Sequence, residues 1–337
     1  MHYMPVRSSS KITTHHAHRT KTIVILGAAG LVGSNLVCML VKKSQYTIIA
    51  VDKNIHNLRI LKHAFPKVTT LCEDVTRPGT WEHHLTNSYA VVQLQAQISS
   101  PYPQRFVRNN ITSVKHVLAA CKRQGVTNLI HASSSVVISV ANDDYTKTKR
   151  VGEKLVNKST VPHTILRPAL MYGCFDAKHL GWLTRLMERI PLVYPIPGNG
   201  KYMRQPLYVL DFCRIIIVLL ERKPEGKTYN IIGRERIDYI DLMRIIAKTR
   251  GIHRTFVKVP IPVLSETVRA YGLLNKAVGK QPPFIPDQLH ALIAGDDFPI
   301  EQWWKEFDVS YTPFRKAMKE VVKSPYDKYS KLMINPN

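Results

Sequence analysis

Residues 22–33 read TIVILGAAGLVG, and this stretch decides the fold. Its first five residues are apolar and rich in β-branched side chains, which predicts a buried strand, and residues 31–41 continue as a helix. Three glycines stand between strand and helix. Gly27 permits a tight turn, Gly30 lets the backbone approach a pyrophosphate, and Gly33 allows the helix to pack closely on the strand. Strand, glycine turn and helix together predict a dinucleotide-binding site.

The start of this helix and the end of the second strand complete the predicted cofactor site. Leu31 and Val32 open the helix, whose N-terminal N–H groups and positive dipole end attract phosphate. The second predicted strand leads into Asp52, nineteen residues after the last glycine, where Rossmann folds place the acid that binds the ribose hydroxyls. A carboxylate repels a 2′-phosphate, so we expect NAD in preference to NADP, although the adjacent Lys53 partly offsets this charge.

The chain keeps alternating strands and helices up to about residue 170. Such alternation predicts an α/β fold, namely a Rossmann-type doubly wound parallel sheet with helices on both faces. We place the NAD-binding Rossmann domain at residues 21–170, after a disordered basic tail at residues 1–20. The further predicted elements are strands at residues 46–51, 68–71, 90–94, 129–132 and 163–166 and helices at residues 110–123 and 145–157.

The second half of the chain changes character and predicts a smaller, C-terminal substrate lobe over residues 171–337. Prolines and glycines crowd residues 191–200, which indicates a loop-rich stretch. Part of residues 205–235 is expected to return to the Rossmann domain. The predicted elements of this half are a helix at residues 211–220, a strand at residues 229–232, and a helix capped by Asp238 and ended by Gly251.

Composition limits the class of protein. Of 337 residues, 45% are hydrophobic and 21% charged, as in soluble globular proteins, and no apolar run approaches the roughly 18 residues of a membrane span. The 48 Lys and Arg against 24 Asp and Glu leave a net charge of +24, which attracts anions such as nucleotides or acidic surfaces. The basic residues are scattered, and no zinc-finger, RNA-recognition or basic-zipper signature occurs, so we expect no nucleic-acid partner.

The cysteines bear on the compartment. Their number is odd and no two form a CxxC pair, which indicates reduced thiols and a cytoplasmic protein rather than a disulfide framework. The acid-free start before Asp52 leaves the mitochondrial matrix as a minor alternative. No metal site is expected, since the histidine cluster near the N-terminus is typical of a solvated tail. The cysteines are Cys38, Cys72, Cys121, Cys174 and Cys213.

Seven further motifs follow the glycine turn in a fixed order. They are Cys72-Glu-Asp-Val75, Val91-Val-Gln-Leu-Gln-Ala96, Asn110 to Leu118, Ala132-Ser-Ser-Ser135, Tyr145-Thr-Lys-Thr-Lys149, Leu166-Arg-Pro168 through Tyr172-Gly173, and Arg204-Gln-Pro-Leu-Tyr-Val-Leu-Asp211. In this order, and with glycines every third residue, the chain resembles the extended and atypical short-chain dehydrogenase/reductase superfamily. The resemblance is to its NAD-dependent epimerase/dehydratase group and covers roughly residues 21–250.

The resemblance implies further cofactor contacts beyond the glycine turn and Asp52. Asp74, next to Val75, would bind the adenine amino group. Gln95 and Ala96 would line the cofactor at the end of the fourth strand, and Pro168 would do so after the sixth. Each of these residues stands at or just beyond the carboxyl end of a predicted strand, where such folds bind their ligands.

The resemblance also implies a catalytic group. Tyr145 and Lys149 are four residues apart on a helix, so both side chains emerge on one face. The neighbouring ammonium and the positive nicotinamide ring favour the phenolate of Tyr145, whose free pKa is near ~10. We therefore expect Tyr145 as general acid/base, Lys149 as pKa modulator and ribose ligand, and Ser135 as the group that orients the substrate.

The substrate-binding expectations also come from the resemblance. Arg204 would grip a diphosphate, and Tyr172 would lie near the substrate. Two features depart from the family pattern: Leu170 stands where many sugar-nucleotide enzymes carry an Asn, and Ser135 precedes Tyr145 by only ten residues. The same short spacing occurs in atypical members, including the accessory subunit of respiratory complex I, which binds a dinucleotide without known turnover.

Three functions remain open at this point. The first is an NAD-dependent epimerase, dehydratase or reductase that acts by hydride transfer on a nucleotide-linked sugar, and a homodimer is compatible with this function. The second is a non-catalytic NAD(P)H-binding subunit or assembly factor whose basic surface faces an acidic partner or membrane. The third is a reductase of an apolar hydroxy or keto substrate, which a pocket of apolar residues around Leu170 and Met171 would favour.

Overall fold

The computed structural model describes residues 20–277, 289, 292–295 and 297–334. The predicted tail lies outside these residues except for Thr20. The strands are β1 (Lys21–Leu26), β2 (Tyr46–Asp52), β3 (Thr69–Cys72), β4 (Ala90–Gln93), β5 (Leu129–Ala132), β6 (His163–Pro168), β7 (Met171–Tyr172), β8 (Val193–Pro197), β9 (Met203–Arg204), β10 (Leu207–Tyr208), β11 (Thr228–Ile231), β12 (Ile237–Asp238) and β13 (Thr255–Val259).

The α-helices of the described residues are α1 (Leu31–Leu40), α2 (Ile55–Ala64), α3 (Pro103–Val107), α4 (Ser113–Arg123), α5 (Asp144–Asn157), α6 (Leu180–Arg189), α7 (Val209–Leu220), α8 (Tyr239–Arg250), α9 (Ile261–Ala277), α10 (Trp303–Glu306), α11 (Phe314–Lys323) and α12 (Asp327–Leu332). Two short 3-10 helices cover Thr80–Leu85 and Ser135–Ile138, and a π-helical turn, Arg108–Thr112, joins α3 to α4. In the described part of the chain, none of these helices is long and apolar enough to cross a membrane.

Seven strands form one parallel sheet in the order β11-β6-β5-β4-β1-β2-β3. The predicted doubly wound α/β fold is therefore confirmed. Strand order runs outward in both directions from the β1–β4 pair, and such a reversal opens a crevice at the carboxyl ends of the strands. Val51, at the end of β2, and Gln93, at the end of β4, flank Leu26 on either side in register, so the glycine turn enters this crevice.

Side chains of β1 alternate between the two faces of the sheet, as the pleat requires. Ile23 and Ile25 pack in one hydrophobic cluster with residues of α1 and α7, while Val24 and Leu26 pack in another with residues of α4. All four side chains are fully buried. The continuous apolar run in the sequence is thus explained by a strand that is covered on both faces.

The second half holds most of the differences from the sequence-based expectations. Thr228–Ile231 pairs with β6 as the edge strand of the main sheet. The stretch predicted as loop contains β8, which pairs in parallel with β13; its prolines are tolerated because this sheet has only two strands. Gly251 ends α8 in the left-handed conformation at φ 66°, but the Asp238 side chain makes no capping hydrogen bond.

Candidate functional site

A cavity of about 1120 Å³ opens at the carboxyl ends of the parallel strands. One end is lined by the glycine turn and by residues that follow β2 and β3, and the other by residues of α6, α8 and the C-terminal segment. Residues that follow β4 lie between the two ends, and residues that follow β5 and β6 extend from there into the second end. We call the first end the dinucleotide end and the second the lobe end. Every cofactor-binding residue predicted from sequence lines this cavity except Lys149.

The three glycines of the turn have different structural roles. Gly27 has φ +82°, and a Cβ there would lie 2.6 Å from the backbone nitrogen of Gln95. A Cβ on Gly33 would lie 2.5 Å from the carbonyl oxygen of Ala28. A Cβ on Gly30 would meet no atom of the protein closer than 3.5 Å. The fold itself therefore requires glycine at positions 27 and 33, whereas at position 30 it leaves room for a ligand.

The N-terminus of α1 faces the cavity without a side-chain cap. Gly30 is the N-cap residue and supplies no side-chain hydrogen bond, and Leu31, Val32 and Gly33 line the cavity. The first N–H groups of a helix have no partner within the helix, and the dipole adds positive charge at this end. The turn can thus hold an anionic group such as a diphosphate, as the sequence predicts.

Asp52 lies beside this turn and is held by two backbone groups. The N–H of Ala29 donates to one carboxylate oxygen at 3.0 Å, and the N–H of Asn54 donates to the other at 2.9 Å. Burial raises the pKa of the Asp52 carboxyl, and these two hydrogen bonds oppose the shift. The carboxylate lines the cavity and keeps lone pairs that can accept bonds from ribose hydroxyls.

Basic side chains lie near the Asp52 carboxylate. Of these, only Lys53 is adjacent to it in the sequence. The Lys53 ammonium donates to the side-chain oxygen of Asn109 at 2.6 Å, and burial lowers its pKa. Lys178 also lines the cavity, and burial lowers its pKa to about 8 against the attraction of Asp52. Asp74 lines the same end, where the Arg108 guanidinium donates to its carboxylate at 2.8 Å.

A network of amide side chains supports the middle of the cavity. The side-chain oxygen of Asn110 accepts from the N–H of Gln97 at 2.8 Å, and its nitrogen donates to the Gln97 carbonyl and to Thr148, at 2.9 and 3.0 Å. Asn109 donates to the Gln97 side chain at 2.9 Å. The network fixes the loop after β4 against α5. The motif beginning at Asn110 was recognised in the sequence, but its partner Gln97 was not.

Tyr145 lines the cavity at the first turn of α5, and the hydroxyl that contacts its phenol is that of Ser134. Ser135 lines the cavity too, but it is 97% buried at the start of the 3-10 helix. Burial raises the pKa of Tyr145, and the Ser134 hydrogen bond opposes the shift. The direction is opposite to the lowering expected from sequence, because loss of water around the phenol outweighs its hydrogen bond.

Lys149 lies one turn further along α5 and points beneath the cavity wall. Its ammonium donates to the carbonyl of Ala132 at 2.9 Å, and burial lowers its pKa to about 8 against the neighbouring Glu153 carboxylate. Glu153 also accepts from the Ser133 hydroxyl at 2.6 Å and from the Arg167 guanidinium. This buried ionic group joins α5 to the ends of β5 and β6, next to Tyr145.

The lobe end is mostly apolar. Arg204 lines it and is 94% buried, with its guanidinium donating to the carbonyl of Leu292. Tyr172 does not line the cavity; it packs in the core against Tyr208 and Phe314. The apolar residues of the lobe end come from five separate segments: Ile138 and Val140, Leu170 and Met171, Trp182 and Leu183, Leu242, and Leu292 with Phe298.

No set of three or more His, Cys, Asp or Glu side chains is arranged to hold a metal within the described ranges. The five cysteines are free thiols, four of them buried. Taken together, the residues that line the cavity provide hydrogen-bond donors at the dinucleotide end, an apolar surface at the lobe end, and Tyr145 between the two ends.

Comparison with known proteins relates this arrangement to others. A model described as the NAD dependent epimerase/dehydratase family matches residues 23–231. The mitochondrial NADH dehydrogenase [ubiquinone] 1 alpha subcomplex subunit 9 of Dictyostelium discoideum is 22% identical over 285 residues, covering 82% of this chain and 77% of the relative. An uncharacterized UDP-glucose epimerase of Bacillus subtilis is 26% identical over 263 residues, covering 68% and 82%.

Among solved structures, UDP-glucuronic acid 4-epimerase from Bacillus cereus, in complex with UDP-glucuronic acid and NAD, is similar in fold. The TM-score is 0.68 with 22% sequence identity, over 92% of this chain and 99% of that one. The similarity extends beyond the matched residues into the C-terminal lobe.

Proposed function

The chain belongs to the NAD-dependent epimerase/dehydratase family, and from this premise we propose that it is an NAD-dependent enzyme that changes a nucleotide-linked sugar by hydride transfer. The observation that carries the proposal is the continuous cavity of about 1120 Å³ between the glycine turn and the lobe end, with Tyr145 along it. Its volume exceeds what a single drug-sized ligand occupies, so cofactor and substrate fit side by side.

The dinucleotide end suits NAD. The N–H groups at the start of α1 bind the diphosphate, and the open space over Gly30 lets that group come close. The Asp52 carboxylate, already oriented by two backbone donors, accepts the ribose hydroxyls and disfavours a 2′-phosphate. Bound NAD supplies the hydride acceptor of the reaction.

Tyr145 moves the proton in this proposal. In its phenolate form Tyr145 takes the proton of a substrate hydroxyl as the hydride leaves the same carbon for the cofactor, and the phenol so formed returns the proton when a carbonyl is reduced. Ser134 donates a hydrogen bond to the phenol oxygen and so stabilises the phenolate, against the burial that raises the pKa. Ser135, the serine expected from sequence, stays a candidate to orient the substrate, because it lines the cavity beside Ser134.

Lys149 acts on Tyr145 from beneath. Its ammonium is fixed by the Ala132 carbonyl and balanced by Glu153, so a positive charge can be kept in a buried place one turn from the phenol. This charge favours the phenolate once a proton is removed. Its two remaining N–H groups are available to a ribose hydroxyl if the wall residues shift.

Relatives with sugar-nucleotide names support the choice of substrate, together with Arg204 at the lobe end. A guanidinium buried in a cavity wall is suited to a diphosphate. We further propose that the enzyme works in the cytoplasm and that it forms a homodimer. Light scattering after gel filtration measures the molar mass and so tests the homodimer.

Thermal unfolding with NAD, NADP and a panel of UDP- and dTDP-sugars tests the proposal. A ligand at 100 times its dissociation constant stabilises the folded state by ~2.7 kcal/mol, so cofactor and substrate both raise the melting temperature. We expect NAD to do so at lower concentration than NADP. The proposal is wrong if neither pyridine nucleotide raises it, and the sugar assignment alone is wrong if NAD does and no sugar nucleotide adds to it.

A second candidate function is a reductase of an apolar hydroxy or keto compound. It is favoured by the lobe end, where Leu170 and Met171 face other apolar side chains from α6, α8 and the C-terminal segment. A sugar needs buried donors and acceptors for its hydroxyls, whereas an apolar substrate needs none. Oxidation of aliphatic or ring alcohols with NAD, in the absence of any nucleotide sugar, distinguishes the two.

A further inference from the structure

Helix α9 lies almost wholly on the protein surface. None of residues 261–275 is buried, although the helix has 17 residues. Four of its large apolar side chains are more than half exposed: Val263 at 56%, Tyr271 at 51%, Leu273 at 62% and Leu274 at 67%. A helix normally turns such side chains towards the core, so this exposure is what a binding surface requires.

The spacing along α9 gathers these side chains on the solvent side. Val263, Tyr271 and Leu274 follow each other at intervals of eight and three residues, which places them on one face of a helix. Ile261 and Val268 lie on the other side and are half-buried. The helix therefore carries a second apolar stripe that no described part of the chain covers.

The strands that precede α9 extend the surface. Leu192 is 80% exposed with a left-handed backbone at φ 59°, and Val193 and Val257 are also exposed on paired strands β8 and β13. A Cβ on Gly198, just after β8, would lie 3.4 Å from Ile261, so the strand end abuts the helix start. We call the exposed apolar residues of α9, β8 and β13, with Leu192, the α9 surface.

The chain around the α9 surface has no negative charge over two long segments. Residues 189–210 and residues 242–265 contain eight Lys and Arg and neither Asp nor Glu. Within α9, the acid Glu266 is paired with Arg269 at 2.7 Å. The exposed basic residues of the two segments are Arg189, Lys201, Arg244, Lys248 and Lys258, of which Arg244 is paired with Asp241 at 3.1 Å.

We propose that the α9 surface docks on an anionic membrane, with α9 lying in the plane of the lipid headgroups. Exposed apolar side chains next to basic ones match a bilayer surface, which offers an acyl boundary beneath negative charge. A second copy of the chain fits less well, because it would bring together two surfaces of a +24 protein whose neighbouring segments are rich in basic residues. The docking is independent of cofactor binding.

Flotation with lipid vesicles tests this docking on the full chain. Wild-type protein is mixed with vesicles of phosphatidylcholine alone or with one third phosphatidylglycerol. We expect binding to the anionic vesicles only, weakened by 1 M salt because charge attraction is screened. The double variant Leu273→Asp/Leu274→Asp should bind at least about tenfold less, since it loses two apolar contacts and gains two like charges.

The matched control is Val41→Asp/Val107→Asp, which adds the same charge at two exposed valines, one directly after α1 and one at the end of α3. It should float with anionic vesicles like wild type, and equal melting temperatures show that both variants fold. Equal binding by the two double variants, or no binding by wild type, overturns the proposal. So does gel filtration in which wild type is a dimer and the α9 variant a monomer, because the surface would then join two copies.

Discussion

The two ends of the cavity are built in different ways. Residues of the dinucleotide end come from short, local patterns: a strand, a glycine turn and a helix within residues 21–40, and an acid that ends the next strand. The lobe end is assembled from five segments spread between Ile138 and Phe298, and of these only Leu170 and Met171 belong to one of the sequence motifs. A local motif fixes a general ligand, whereas a composite surface decides which specific molecule is accepted.

Tyr145 stands where the two ends meet, so its loss gives the largest expected effect. Tyr145→Phe removes the proton-transferring oxygen and should lower kcat by about 10²–10⁴-fold. The NAD dissociation constant should change little, because the diphosphate and ribose contacts remain. Stopped-flow or steady-state rates with isothermal titration of NAD measure both quantities. Undiminished turnover would show that Tyr145 does not transfer the proton, and it would contradict the proposal that the reaction takes place where the two ends meet.

Two glycines of the same turn separate folding from ligand binding at the dinucleotide end. Gly33→Ala forces a Cβ against the Ala28 carbonyl and should lower stability by about 1–3 kcal/mol, seen in urea unfolding. Gly30→Ala meets no close protein atom, so it should leave stability nearly unchanged yet weaken NAD about tenfold. Equal loss of stability in both variants would contradict the assignment of Gly30 to the ligand.

Arg204 tests the lobe end with a conservative change. Arg204→Lys keeps the positive charge but loses the paired donors that hold a diphosphate, so KM for a nucleotide sugar should rise about tenfold. NAD affinity should stay as in wild type, in contrast to Gly30→Ala. If the true substrate is apolar and uncharged, the KM for that substrate should be the same in Arg204→Lys as in wild type. That result would support the second candidate function.

Lys149 gives the one effect that is read from pH. Its pKa is lowered from 10.5 to about 8, so between pH 8 and 10 the unfolded chain holds a proton that the folded chain has released. Stability from this group therefore rises with pH in that window, by at most ~1.4 kcal/mol per pH unit. Lys149→Met should flatten the urea-unfolding profile there.

The raised pKa of Tyr145 acts in the opposite sense above pH 10, so measurements stop at that value. Lys178→Met is the control, because its lysine has a pKa lowered to about 8 at a different place. Each single variant should remove part of the slope, and the double variant the sum. A Lys149→Met profile identical to wild type would show that its ammonium is not destabilised by burial.

Some helices escaped prediction although the sequence carries their signals. The Asn54 side chain caps α2 by accepting a hydrogen bond from the N–H of Asn57 at 3.1 Å, and an Asn directly before a helix is a capping signal that the sequence shows. Prolines around residue 261 read as breaks, yet Pro262 lies in the first turn of α9, where proline is tolerated. The weak apolar periodicity of these surface helices explains the omissions, since little of either helix is buried.

Some residues of the site could also be predicted from sequence, and others could not. The glycine turn and Asp52 could be named from sequence, because close backbone contacts permit few residue types there. Ser134 and Ser135 are neighbours with the same side chain, and only the 3-10 turn that follows decides which hydroxyl contacts Tyr145. Tyr172 was expected at the substrate, but packing with Tyr208 and Phe314 holds it in the core.

The sequence by itself determined the parallel sheet and the glycine turn proposed to hold the phosphates, because alternating apolar runs and obligatory glycines act over a few neighbouring residues. Only the tertiary structure decided the surroundings of Tyr145, the burial of Lys149 and the apolar lobe end. The lobe end joins segments more than a hundred residues apart in the chain, and the contacts of Tyr145 and Lys149 cross from α5 to residues at and after the end of β5. All of these contacts follow from packing and loss of water, which no local pattern records.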